Sequence, residues 1–213
     1  MLQLSEIFLS IQGESTWAGL PCVFVRLAGC NLRCNYCDST YSYQPSMELS
    51  LQEIIAEIDR FSPVSLVEIT GGEPLLQDEV YPLLSALLQK GYTLLLETNG
   101  SILMKNVPKE VHKIMDIKCP GSGMEGNFDP GNISCITPEY DEIKFVLSDR
   151  DDYLWAQRQI EKYHLENHKI LFSCVFDRLH PAQLAEWMIT DRKPIRLQLQ
   201  MHKYIWDPTA RGV

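Results

Sequence analysis

The sequence predicts an α/β fold, a mostly parallel, curved sheet covered by helices and left incomplete as a (β/α) barrel. Three observations carry that expectation. Apolar runs of strand length recur along the chain, near-continuous rather than alternating, as in strands buried on both faces. Helical spacing separates several of these runs. From Ser101 to about Glu139 the helical spacing fails, so the chain lacks the regular alternation of a full eight-fold barrel.

Taken in order, an amphipathic stretch from Leu4 to Gly13 opens the chain, followed by a strand at Val23–Ala28. Leu51, Ile54, Ile55 and Ile58 recur at helical spacing behind Ser50-Leu51-Gln52-Glu53, a capping box whose side chains satisfy free backbone N–H groups. Strands are expected at Leu66–Thr70, Thr93–Glu97, Lys113–Ile117, Glu142–Leu147, Lys169–Cys174 and Ile195–Leu199. Further helices are expected over about Glu79–Gln89, with Pro82 tolerated in the first turn, over Asp151–His164 and over Ala182–Thr190. No repeat or long linker divides the chain, so residues 1–213 read as one domain with a C-terminal tail at about 205–213.

The composition, 45% hydrophobic and 22% charged, is that of a soluble globular protein. No run approaches the ~20 apolar residues that cross a bilayer. The N-terminus lacks the basic start and small-residue cleavage site of a signal peptide, so a cytoplasmic location is the expectation. A formal charge of −9 without any Lys/Arg cluster argues against nucleic acid and for a small-molecule substrate.

The chemistry gathers around Gly29-Cys30-Asn31-Leu32-Arg33-Cys34-Asn35-Tyr36-Cys37-Asp38, where three cysteines stand in a C-x3-C-x2-C spacing. Three thiolates on one loop can each hold one iron of a 4Fe–4S cluster and leave the fourth iron open. Zinc is the next reading, although it more typically shows paired C-x2-C or C-x2-C with H-x3-5-H. Three unrelated buried thiols come last. Seven cysteines, four of them isolated (Cys22, Cys119, Cys135 and Cys174), make a poor disulfide framework. The loop resembles that of radical S-adenosylmethionine (SAM) enzymes, in which the open iron binds the methionyl end of SAM. Reductive cleavage there yields a 5′-deoxyadenosyl radical.

In open α/β sheets, ligands bind at the carboxyl ends of strands, and the other candidate motifs fall there. Thr70-Gly71-Gly72-Glu73-Pro74 follows a strand; its backbone carbonyls with Glu73 could receive the ammonium of SAM, or it could be an ordinary turn. Alongside the cysteine loop it resembles the GGEP motif of the same superfamily. Cys119-Pro120-Gly121-Ser122-Gly123 is a second glycine-rich loop, with Cys119 expected as packing. Ser173-Cys174-Val175-Phe176 is a strand end that either frames adenine or packs the core.

Ile11-Gln12-Gly13-Glu14 could meet the edge of a flat heterocycle. Arg26, inside an apolar strand, needs a partner, which is a structural acid or a substrate carboxylate held in bidentate geometry. Alternation in Ile195–His202 sets Leu197, Leu199 and Met201 on one face and Arg196, Gln198, Gln200 and His202 on the other. That polar face is either solvated or lines a cavity, with Gln200 and His202 nearest a ligand. Cys37-Asp38-Ser39-Thr40 offers oxygens that suit Mg2+ and equally suit a turn.

Together Phe8–Ser15, Val25–Ser42, Glu68–Gln77, Met115–Gly123, Ile143–Leu147 and Gln198–Tyr204 resemble the 7-carboxy-7-deazaguanine synthase family, over about residues 5 to 205. The resemblance implies a modified, incomplete barrel and a lyase of queuosine and deazapurine biosynthesis. Its reaction turns 6-carboxy-5,6,7,8-tetrahydropterin into 7-carboxy-7-deazaguanine with loss of ammonia. It implies a 4Fe–4S cluster on Cys30, Cys34 and Cys37, SAM that is regenerated, and Mg2+. Carried over, Tyr36, Cys37, Asp38, Gly72, Glu73, Cys119, Pro120, Gly121, Ser173 and Val175 face SAM. Ile11, Gln12, Gly13, Glu14, Arg26, Thr70 and His202 face the pterin. The family often has Thr after Cys-Asp; here Ser39 is the favoured Mg2+ ligand and Thr40 the alternative. A homodimer, and an electron donor such as flavodoxin or ferredoxin, are also implied. Two rivals stand beside it: another radical SAM enzyme, such as a glycyl-radical activase, and a zinc-binding interaction module.

Overall fold

The computed structural model describes residues 1–213. Nine strands form one open sheet: β1 (Leu2–Ile11), β2 (Pro21–Leu27), β3 (Met47–Leu49), β4 (Leu66–Gly71), β5 (Thr93–Thr98), β6 (His112–Asp116), β7 (Glu142–Leu147), β8 (Lys169–Cys174) and β9 (Arg196–Gln198). Their order is β3-β1-β2-β4-β5-β6-β7-β8-β9. Every pairing from β2 to β9 is parallel, while β1 pairs antiparallel with both β2 and β3. The helices are α1 (Leu51–Asp59), α2 (Val80–Gln89), α3 (Arg150–Lys162), α4 (Pro181–Asp191) and the short α5 (His202–Ile205). Between β5 and β7 no α-helix forms; besides β6 the chain has 3-10 turns at Met104–Asn106, Pro120–Ser122 and Pro130–Cys135. This is the region where helical spacing lapses in the sequence.

The two faces of the sheet carry different chemistry. One face packs on the helices in a core of 36 buried residues that includes Val25, Ile69, Leu84, Leu96, Phe145 and Phe172. Tyr153 on α3 meets Phe172 of β8 edge-on, and Phe145 of β7 meets the same ring. The other face has a small apolar floor of Cys22, Phe24, Leu66, Leu95 and Ile114. Above that floor, alternate residues nearer the strands' carboxyl ends are polar: Arg26, Glu68, Thr70, Glu97, Asp116 and Lys144. Parallel register brings them together, since Arg26 pairs with Thr70 and Asp116 with Lys144.

Two elements differ from the sequence reading. The amphipathic opening is a long antiparallel strand, and β3, too short to leave a periodic signal, pairs onto it. The last strand ends at Gln198, and of the two outcomes open for its polar face the inward one holds. Gln198 is buried while Leu197 and Leu199 are largely exposed. The inward face at this edge meets the Glu14 carboxylate, which takes the amides of Gln198 and Gln200, so polar side chains turn in. His202 therefore lies on no strand; it is the first residue of α5.

The Ser50 capping box forms as expected: Ser50 Oγ accepts from Glu53 N–H and Glu53 accepts from Ser50 N–H. Ser50→Ala should lower unfolding stability by about 1 kcal/mol, read as a shift in the urea midpoint at unchanged slope.

Candidate active site

A single cavity of about 550 Å³ opens at the carboxyl ends of the parallel strands, within the size range of ligand pockets. Residues of β1, β2, β4, β5, β6 and β7 line it, so the sheet curls around it. One wall is the cysteine loop, represented by Cys30, Cys34, Cys37, Asp38 and Ser39. Facing it are the entrance residues Ile11 to Ser15, with Arg26, Glu68, Thr70 and Glu97. Gln200, His202, Lys203 and the tail residues Pro208 and Ala210 to Val213 complete the rim.

The loop from Ala28 to Ser39 has no helix or strand, so its shape rests on cross-links and one apolar anchor, buried Leu32. Asn99 Nδ2 donates to Asn31 Oδ1 at 3.1 Å, and Asn31 Nδ2 donates to Ser101 Oγ at 2.8 Å. Asn35 N–H donates to the Ser122 carbonyl at 2.9 Å, and the Tyr36 hydroxyl to the Val146 carbonyl at 3.1 Å. The Gly71-Gly72 turn packs directly beneath. A Cβ on Gly72 would collide with the Gly29 carbonyl and the Cys30 side chain, and Gly71 has φ +143°. Glu73 N–H then donates to the Gly29 carbonyl at 2.8 Å.

The three thiols are free and half-buried on one side of the cavity. Burial pushes up the Cys30 and Cys34 thiols, and the Lys118 ammonium beside them works the other way, favouring thiolate. No three His, Cys, Asp or Glu side chains converge as a single-ion site. Three thiols of soft donor chemistry on one loop fit the anchoring of a 4Fe–4S cluster. Asp38 and Ser39 add hard oxygens at the same wall, whereas Thr40 is exposed and outside the lining. Asp38 Oδ2 receives Lys203 Nζ at 2.9 Å; burial would raise this carboxyl, but Lys203 holds it below its ordinary value.

The opposite wall is acidic around one buried lysine. Lys144 Nζ bonds Glu14 Oε2 at 2.9 Å, pairs closely with Glu97 Oε1 and lies 3.8 Å from Asp116 Oδ2. Burial disfavours its charge, yet these carboxylates, Glu14 first, hold its pKa well above the ordinary lysine value. Glu14 is also fixed by Gln198 Nε2 at 2.9 Å and Gln200 Nε2 at 3.0 Å. Burial alone would raise its carboxyl; Lys144 and then His202 keep it lowered. Buried Glu68 goes the other way. Desolvation and the neighbouring Glu97 raise its carboxyl to about 8, so it holds a proton at neutral pH. Asp116 Oδ1 is buried without any partner, while Oδ2 takes Lys118 Nζ at 2.8 Å.

The entrance segment is built as tightly. Gln12 Nε2 donates to Glu68, Gln12 Oε1 accepts from Glu14 N–H at 3.0 Å, and Thr16 N–H donates to Glu142 at 3.0 Å. Glu142 in turn bonds buried His112 at 3.0 Å. Met201 N–H donates to the Gly13 carbonyl at 2.9 Å, and a Cβ on Gly13 would strike the His202 ring. Burial lowers the His202 pKa, so its imidazole is neutral at pH 7. Arg26 finds the structural acid expected as one of its two partners. Its Nε donates to Glu6 Oε1 at 2.8 Å, and this is its only nitrogen bonded within the chain.

Most residues expected at the site line the cavity, but five do not. Glu73 is fully buried and spends both oxygens on Leu75 N–H, the Thr98 hydroxyl and Asn99 N–H, tying the β4 turn to the end of β5. Cys119, Pro120 and Gly121 lie behind the lining; Gly121 N–H docks on Asp152 at 2.8 Å and Cys119 is packed. Ser173 is buried in β8 with an unpartnered hydroxyl, while Val175 does reach the cavity. Sequence reading missed Glu68, Glu97, Asp116, Lys118, Lys144 and Lys203. For the first three and Lys144 the signal is charge at alternate positions of otherwise apolar strands; Lys118 and Lys203 leave none of that kind.

A radical SAM superfamily profile matches residues 25–120. A protein of Koribacter versatilis (strain Ellin345) named 7-carboxy-7-deazaguanine synthase is 46% identical over 227 residues, covering 100% of both chains. The Chlorobaculum tepidum protein of the same name is 49% identical over 215 residues, covering 100% of this chain and 97% of that one. This chain belongs to the 7-carboxy-7-deazaguanine synthase family. The crystal structure of QueE from Escherichia coli shares the fold, with a TM-score of 0.77 at 22% identity over 94% of each chain. Membership in the 7-carboxy-7-deazaguanine synthase family, full-length and under one name, speaks against the activase and zinc-module readings. No helix is long and apolar enough to cross a membrane.

The raised Glu68 carboxyl has a measurable consequence. Between its ordinary 4.5 and about 8, the native state keeps a proton that the unfolded chain has lost. The stability it contributes is complete below pH 4.5 and is lost as pH rises through about 8. Glu68→Gln should flatten that loss, measured as urea midpoints across the window; parallel wild-type and variant curves would refute the assignment.

Proposed function

We propose that this chain is a radical SAM lyase that converts 6-carboxy-5,6,7,8-tetrahydropterin to 7-carboxy-7-deazaguanine with loss of ammonia, in queuosine and deazapurine biosynthesis. The observation that carries the reading is the polarity of one cavity. The thiol wall faces a wall with Glu14, protonated Glu68 and Asp116, and Arg26 lines the same cavity. An amino-pyrimidinone edge needs paired acceptors and donors, and a carboxylate needs a guanidinium fork. The residues of this cavity supply them.

Cys30, Cys34 and Cys37 would hold a 4Fe–4S cluster, with Gly72, Tyr36 and Asp38 beside the SAM it chelates. When bound, this pair supplies the radical that removes the hydrogen from carbon 6 of the pterin. The chain's own residues do the rest. Glu14, kept ionised by Lys144, accepts from the pterin's amino edge, and Gln198 and Gln200 fix its orientation. Thr70 and neutral His202 offer further hydrogen bonds, and Arg26 anchors the carboxylate. Ser39, with Asp38 nearby, would take Mg2+, which keeps most of its waters. A small protein donor such as flavodoxin or ferredoxin and a homodimeric assembly follow from the family resemblance.

Anaerobically reconstituted protein should bind about four irons per chain and form the deazaguanine only with reductant, SAM and Mg2+. Each of Cys30→Ala, Cys34→Ala and Cys37→Ala should abolish turnover, and a single variant with full turnover would overturn the ligand set. Ser39→Ala should raise the Mg2+ concentration for half-maximal rate by roughly tenfold, while Thr40→Ala leaves it unchanged. The reverse pattern would move the ligand to Thr40.

A further inference from the structure

The tail beyond α5 folds back over the cavity. Asp207 begins a turn: Thr209 N–H and hydroxyl donate to Asp207 Oδ1 at 2.8 and 2.6 Å, and Ala210 N–H donates to the Asp207 carbonyl at 2.9 Å. Pro208 suits the second position of such a turn by its fixed φ. The reversal returns Ala210 to Val213 to the rim, where all four line the cavity.

Arg211 is the chemically notable member. Its guanidinium carbon lies 4.1 Å from the centre of the Tyr41 ring, and the Arg26 guanidinium lies 5.9 Å from the same centre. Tyr41 is itself fixed, its hydroxyl donating to Glu6 Oε1 at 2.7 Å, the atom that also receives Arg26. Stacking uses the flat face of a guanidinium and leaves its edge of N–H groups free to donate in plane. Two guanidiniums therefore converge on one ring with one carboxylate, Glu6, between them; Asp38 nearby is engaged by Lys203. That brings two guanidiniums to one corner of a cavity otherwise lined by several carboxylates.

We propose that Arg211 is a specificity-determining residue, the second cation of a two-arginine clamp that selects a pterin carrying a carboxylate. The inference rests on the carboxypterin reading above and adds a residue to it. With Arg26 tethered through Nε to Glu6, one guanidinium is held in place while the tail brings the other. Tyr41 sets the spacing between them.

The test uses full-length, reconstituted, SAM-bound protein and two unreactive rings, oxidised 6-carboxypterin and oxidised pterin without the carboxylate, with binding read by calorimetry. Arg211→Ala should weaken 6-carboxypterin about tenfold and leave unsubstituted pterin and SAM unchanged. KM for the tetrahydropterin should rise by a similar factor. Arg211→Lys, which keeps charge but loses the planar fork, should recover only part of the loss, and Tyr41→Leu should reproduce much of it. Equal weakening of both rings by Arg211→Ala would make the tail a mere cover and overturn the clamp. So would an unchanged variant on a wild type that binds and converts the carboxypterin, leaving the functional reading intact. A wild type that neither binds nor converts the carboxypterin would overturn that reading and the clamp with it.

Discussion

Lys144 is the charge around which the interior of this sheet is arranged. Three carboxylates, from the entrance segment, β5 and β6, point at one place on the inner face. Without a cation among them, their mutual repulsion and desolvation would force protonation or drive the walls apart. One ammonium holds Glu14 ionised and Glu97 in place. Glu68, on the neighbouring strand β4, is raised by burial and by Glu97 more than Lys144 lowers it, and becomes the neutral member. A packed barrel interior would be filled with apolar side chains; here the ion cluster keeps a polar space open above a five-residue apolar floor.

The cysteine loop depends on the same arrangement at one remove. It has almost no hydrophobic anchoring of its own and borrows order from the ends of β4 to β7 through Gly72, Asn31, Asn35 and Tyr36. Those strand ends are spaced by the residues of the ion cluster. The geometry around the thiols is thus tied to side chains that never approach sulfur.

Much of this could be read along the chain. Buried parallel strands reveal themselves as apolar runs, and the loop motifs sit next to them, so the architecture and the cysteine, glycine-turn and entrance residues were legible. The edges were not. The sequence of β9 gives a clean alternation, but which face turns inward depends on the Glu14 carboxylate, far away along the chain. Lys144 and its acids were hidden for a related reason: a charge inside an apolar run reveals that it needs a partner, but only the register of neighbouring strands says which. Glu73 shows the converse, a motif residue whose oxygens are consumed by backbone N–H groups two strands' ends apart.

The sheet's open side is closed by unusual means. Between the entrance segment and β9 no strand ladder runs; the join consists of Gln198 on Ser15 N–H, two amides on Glu14, and the Met201–Gly13 bond. Such a seam can part a few contacts at a time, where a ladder would have to unzip cooperatively. A small bicyclic ring can thus enter sideways through a gap stitched by side chains, with the sheet itself never breaking register.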